Sequence, residues 1–179
     1  MLLDEIKKLW PELVWIKDES LRDSTLNTWA FAIKNSVFSP TDLEKIPFTT
    51  DMEECKISFM QYSRTSLRIA IEITNKLKDS FGNSLKINMD YVIAGAILFY
   101  VGKLNELDIV NGQIVKSNTG KLLNKNFSGV AFAHRFSLPS ELLHIIADDP
   151  DINRINESII VSHAYNLSLE VIKNNYGNE

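Results

Sequence analysis

The run Tyr91-Val92-Ile93-Ala94-Gly95-Ala96-Ile97-Leu98-Phe99-Tyr100 constrains this chain more than any other stretch, because it is apolar on every side when wound as a helix. A helix without a polar face has to be surrounded by other elements. The run is far shorter than the ~20 residues that crossing a bilayer takes, so those surroundings are protein and the run is the central helix of a core. Asn88 stands at its start as a capping residue. Gly95, flanked by alanines, lets a neighbouring helix approach closely, which outweighs the ~1 kcal/mol a glycine costs in a helix interior.

Around this run the apolar residues recur at helical spacing. A short helix over Leu2 to Leu9 is expected to stop at Pro11, and a second over Asp18 to Lys34 turns Leu21, Leu26, Trp29, Ala30 and Ile33 inward. Ser39-Pro40 opens a turn or short helix, with the serine as cap. Phe59, Tyr62, Ser66, Ile69, Ala70, Ile73 and Leu77 form one stripe of a long amphipathic helix. Between Leu107 and Lys116 the pattern changes to short β-branched runs on either side of Asn111-Gly112, the signature of a two-residue hairpin. Helical character returns over Lys121 to Phe136, Pro139 to Ala147 and Asn156 to Lys173, the last two separated by Asp148-Asp149-Pro150-Asp151. The reading is an all-α bundle with one small hairpin near residues 107–116.

With 45% hydrophobic and 23% charged residues the chain can form a packed core, and no Pro/Gly/Ser-rich stretch divides its 179 residues. It is read as one domain, residues 1–50 forming a helical extension packed on a core of residues 51–175. A net charge of −4 without a Lys/Arg run argues against a nucleic-acid partner. Nothing reads as a signal peptide or a membrane span, so a cytoplasmic location is expected. The single cysteine, Cys55, excludes an internal disulfide and has no neighbouring base to make it a nucleophile.

Several strings together resemble the small bacterial HD-domain phosphohydrolases over nearly the whole chain. They are Gln61-Tyr62-Ser63-Arg64, the segment from Ile93 through Val101-Gly102-Lys103-Leu104, Phe127-Ser128-Gly129-Val130, His144-Ile145-Ile146-Ala147, and the segment from Ile159 to Tyr165. The resemblance implies an HD-like helical bundle. It also implies where the metal ligands of that family would fall: an early His at Tyr62, the His-Asp pair at Phe99 and Tyr100, and a closing Asp at Tyr165. Two further metal-proximal histidines map onto Lys125 and Asp149.

All four primary positions hold aromatic residues here. Phe99 has no donor atom, and a phenol with an ordinary pKa of about 10 is protonated at neutral pH and ligates poorly. Without a metal no bound water is activated for attack on phosphorus. The expectation is therefore a vacated site with no metal, no cofactor and no catalytic residue, in which Tyr62, Phe99, Tyr100 and Tyr165 pack as an aromatic plug across three helices. Arg64, Lys103 and Lys125 remain as candidates for binding a phosphate or carboxylate, since the lysine of Val-Gly-Lys lies near substrate phosphate in the resembling family.

Three functional readings follow. The first is a non-catalytic binding or regulatory module for a phosphate-bearing or other anionic small ligand, or for a protein partner. The second is a metal-dependent phosphohydrolase with an atypical site built from His144, Asp148, Asp149 and Asp151, of which His144 and Asp148 have the spacing of one helix face. The third is self-association, or pairing with an active relative, through Trp10, Trp15 and Phe38 as surface anchors. His163, two residues from Tyr165, points away from it on a helix, and His134 has no carboxylate at triad-like spacing.

Overall fold

The computed structural model describes residues 2–49, 52 and 54–176. The boundary expected between residues 50 and 51 lies outside the described residues. Acids in the first turn and lysines in the last complement the dipole of α1 (Leu2–Leu9). Pro11 starts a 3₁₀ turn, Pro11–Trp15, and the Asp18 carboxylate caps α2 (Glu19–Lys34) by accepting from the Leu21 N–H. At Ser39-Pro40 the chain makes a turn in which the roles differ from expectation. Asp42 is the acceptor, taking both the N–H and the hydroxyl of Ser39.

A capping box fixes the start of the longest helix, α3 (Phe59–Phe81): Ser58 Oγ accepts from the Gln61 N–H, and Gln61 Oε1 accepts from the Ser58 N–H. Asn88 caps α4 (Met89–Leu98), and Val92 through Leu98 are all buried, as an all-round apolar helix requires. On one side Ile145 packs so closely that a Cβ on Gly95 would come within 2.8 Å of its Cγ2. On another the indole N–H of Trp29 donates to the Ile97 carbonyl at 3.1 Å.

After α4 come a short helix, α5 (Lys103–Glu106), and an antiparallel hairpin of β1 (Leu107–Val110) and β2 (Gln113–Lys116). Leu107 pairs with Lys116 and Val110 with Gln113, so Asn111 and Gly112 form the turn, with φ of +54° and +77°. Two positive φ values in succession are what such a turn needs, and Asn-Gly tolerates them. The single helix expected over Lys121 to Phe136 is instead two. Ser117 caps α6 (Asn118–Leu122), the chain extends at Leu123, and Asn124 caps α7 (Lys125–His134). Two further helices, α8 (Ser140–Ala147) and α9 (Asn156–Tyr176), complete the bundle, α9 lying along α3 and α4.

One buried cluster runs from Ile6 to Tyr165 and includes residues before and after the segment near residue 50. Trp10, Trp29 and Phe59 form a chain of ring contacts inside it, with centroids 5.5 and 6.3 Å apart. This corrects two of the three expected surface anchors. Trp10 and Phe38 are core residues, and of the three only Trp15 is exposed. Trp10 finds its partner within the chain, in Trp29 of α2, which in turn meets Phe59 of α3. Cys55 is buried. Among the described residues no helix is long and apolar enough to cross a membrane.

Candidate functional site

Helix α3 carries Tyr62 one turn after its cap, α9 carries Tyr165, and the tight turn that ends α4 delivers Phe99 and Tyr100. The rings of these residues meet. Phe99 stacks on Tyr165 with centroids 4.6 Å apart, and Tyr100 stacks on Tyr165 at 5.0 Å with 18° between the planes. Tyr62 meets Tyr100 and Tyr165 edge-on at 5.6 and 5.5 Å, an arrangement that sets positive ring edges against negative faces. Phe48, which no sequence pattern marked, extends the cluster by packing against Tyr62 at 4.7 Å.

Two of the three hydroxyls are spent on the backbone. Tyr62 donates to the Tyr165 carbonyl at 3.0 Å, and Tyr165 donates to the Ala96 carbonyl at 2.8 Å. Burial raises the pKa of Tyr62, Tyr100 and Tyr165 above the ordinary phenol value, with repulsion from the neighbouring phenols adding to the rise at Tyr62 and Tyr165. A divalent cation needs carboxylate, imidazole or thiolate donors in their ligating form. Three protonated phenols, two of them bonded to carbonyls, together with a phenyl ring, do not fit one.

Lys125 lies over this cluster, its Nζ 4.2 Å from the Tyr100 ring centroid and 4.9 Å from that of Phe99. The ammonium also donates to Asn126 Oδ1 at 2.6 Å. Burial pulls its pKa down to about 8, against the opposing pull of the Asp148 and Glu106 carboxylates. Lys103 is paired with Glu106 at 3.0 Å, and Glu106 also accepts the backbone N–H of Lys125. The two lysines expected to receive an anion are thus gathered at the plug, but each has its partners and two carboxylates lie close.

Arg64 is engaged elsewhere. Glu12, fully buried, accepts from Arg64 Nε and Nη2 at 2.9 and 2.8 Å and from Arg68 Nη2 at 3.1 Å. This pairing spans 52 residues and had no local signal, since Glu12 sits in a turn without periodicity. It ties the segment before α2 to α3.

The atypical metal site does not assemble. Asp148 ends α8 in the left-handed conformation, which takes it off the helix face of His144, and it pairs with Arg154 at 2.7 Å. Asp149 accepts the backbone N–H of Asp151. His144 is half-buried, and its Nε2 has no hydrogen-bond partner among the described residues. Among those residues no group of three or more His, Cys, Asp or Glu side chains is placed to hold a metal ion. His134 and His163 are exposed.

Fold and site together define an all-α protein with one small hairpin and a buried aromatic cluster where three helices converge. No family model, curated protein or solved structure matches the chain.

Proposed function

We propose that this chain is a non-catalytic, HD-like helical domain that acts by binding, as a regulatory or ligand-holding module for an anionic small molecule or a protein partner. The observation that carries the reading is the state of the four residues at the positions where the resembling family keeps its metal ligands. Tyr62, Phe99, Tyr100 and Tyr165 fill the convergence of α3, α4 and α9 with stacked rings, and the hydroxyls of Tyr62 and Tyr165 are bonded to backbone carbonyls. Rings packed this way, with phenols that burial keeps protonated, do not supply the ligating groups that a metal and its activated water require.

Metal analysis and a hydrolase assay test it together. Protein purified without chelator is expected to carry no stoichiometric divalent metal and to release no phosphate from phosphomonoesters in the presence of manganese, zinc or nickel. A four-site reversion, Tyr62→His, Phe99→His, Tyr100→Asp and Tyr165→Asp, is expected to gain metal binding where it folds. Stoichiometric metal with turnover in the unaltered chain would overturn the reading.

A further inference from the structure

The outer flank of α3 carries two concavities that share a wall. One, about 360 Å³, is polar and is lined by Glu44, Ser58, Met60, Gln61, Arg64, Thr65 and Arg68. The other, about 540 Å³, is mostly apolar and runs between α3 and α9, with Ile57, Ile69, Leu167, Val171 and Ile172 among its lining. Gln61 and Thr65 line both and are exposed, so the polar hollow and the apolar groove lie side by side on α3 with these two side chains between them.

Each half has a stated chemistry. In the hollow, Glu12 holds Arg64 and Arg68 from below and takes up few of their N–H donors, because each guanidinium has five. Two guanidiniums against one buried carboxylate leave a positive charge fixed in place, with donors to spare. Glu44 also lines the hollow as an exposed carboxylate that solvent screens, so the donors Glu12 leaves free on Arg64 and Arg68 are what the hollow offers an anion. Among the described residues no charged side chain lines the groove, and Leu167 and Val171 stand half exposed on α9. A volume of this size suits a small molecule, and an apolar wall with a few polar groups at one end is the usual form of such a site.

We propose that this surface binds a single-chain anionic amphiphile of the fatty-acid class, its aliphatic chain in the groove between α3 and α9 and its carboxylate on Arg64 and Arg68. The joining of fixed positive charge to an uncharged trough selects both ends of the ligand at once. The trough is concave and walled by two helices, which suits one chain and not a flat lipid surface. The proposal rests on the reading of the domain as a binding module, and it is independent of the likeness to the phosphohydrolases.

Calorimetric titration of the full chain with dodecanoate, kept below its micelle concentration, tests it. One dodecanoate per chain is expected. Arg68→Ser removes the more exposed guanidinium without orphaning Glu12 and is expected to weaken binding about tenfold, the loss of one charge-assisted hydrogen bond. Val171→Asp places a charge in the trough at an exposed position and is expected to abolish binding, with the circular-dichroism spectrum unchanged in both variants. Dodecyltrimethylammonium and inorganic phosphate each supply one half of the ligand and are expected to bind at least about tenfold more weakly. The proposal is overturned by no binding of dodecanoate, by equal affinity for dodecyltrimethylammonium, by indifference to both substitutions, or by uptake from phosphatidylglycerol vesicles alone. Metal-dependent turnover would defeat the family reading and leave the dodecanoate result standing, so the two failures are separable.

Discussion

The Tyr62 hydroxyl donates to the backbone carbonyl of Tyr165, 103 residues further along the chain, at 3.0 Å. That bond joins α3 to α9, and the Tyr165 hydroxyl in turn joins α9 to α4 through the Ala96 carbonyl. Two phenols thus tie three helices together at one point through backbone carbonyls.

Removing either hydroxyl takes one hydrogen bond from a buried carbonyl, and that of Ala96 keeps the Phe99 N–H as a donor. Tyr62→Phe and Tyr165→Phe are each expected to lower the unfolding free energy by about 1–2 kcal/mol, while Tyr165→Ala, which also opens a cavity, costs about 3–5 kcal/mol. Denaturant melts read the differences directly. A Tyr62→Phe cost indistinguishable from zero would mean that the hydroxyl bond adds nothing to ring packing.

Alkaline pH should act on the same cluster. The folded-state pKa values of Tyr62, Tyr100 and Tyr165 lie above the unfolded value of about 10, so above that pH the unfolded chain has lost protons that the folded chain keeps. Stability contributed by these groups is complete below pH 10 and falls as pH rises beyond it. Absorbance at 295 nm is expected to show their titration only together with unfolding, and phenolate signal from them in a folded protein would contradict the burial.

Lys125 pulls the other way. Its folded pKa of about 8 lies below the ordinary lysine value of 10.5, so between those values the unfolded chain binds more protons and stability rises with pH. The cost of burying the charge is present in full below pH 8. Lys125→Met is therefore expected to stabilise the protein at pH 7 by about 1–2 kcal/mol, after loss of the contacts with the rings, and to flatten the slope from pH 8 to 10.5. Thermal melts across that range of both proteins supply the check.

The Glu12 pair predicts an asymmetry between its two arginines. Arg64→Ala takes away two of the donors on a fully buried carboxylate and is expected to cost about 2–4 kcal/mol, whereas Arg68→Ala, at an exposed side chain, costs less than about 1 kcal/mol. Equal costs would show that Glu12 is not the anchor of the segment before α2.

Close packing gives a further test at Gly102. An added Cβ would land on the Lys125 carbonyl and the Gly129 N–H, so Gly102→Ala has to push α5 from α7, at a cost of more than about 2 kcal/mol. Gly112→Ala meets open space and is opposed only by its φ of +77°, about 1 kcal/mol. Paired melts of the two variants are expected to rank them in that order.

What the sequence determined by itself is local. Val92 to Leu98 has no polar face, and it is buried all round; Asn111-Gly112 supplies two residues tolerant of positive φ, and the hairpin turns there; Asp18, Ser58 and Asn88 cap the helices that follow them. Each follows from neighbours a few residues apart, where backbone geometry and side-chain type suffice. Even here Ser117 and Asn124 split one expected helix into two, because two capping residues compete with a continuous apolar period. Tertiary structure alone decided that Trp10 and Phe38 are core, that Phe48 joins Tyr62, that Glu12 meets Arg64 and Arg68, and that Asp148 turns from His144 to Arg154. Those contacts close over long stretches of chain, and a side chain's type names the kind of partner it requires without saying which part of the chain will bring one.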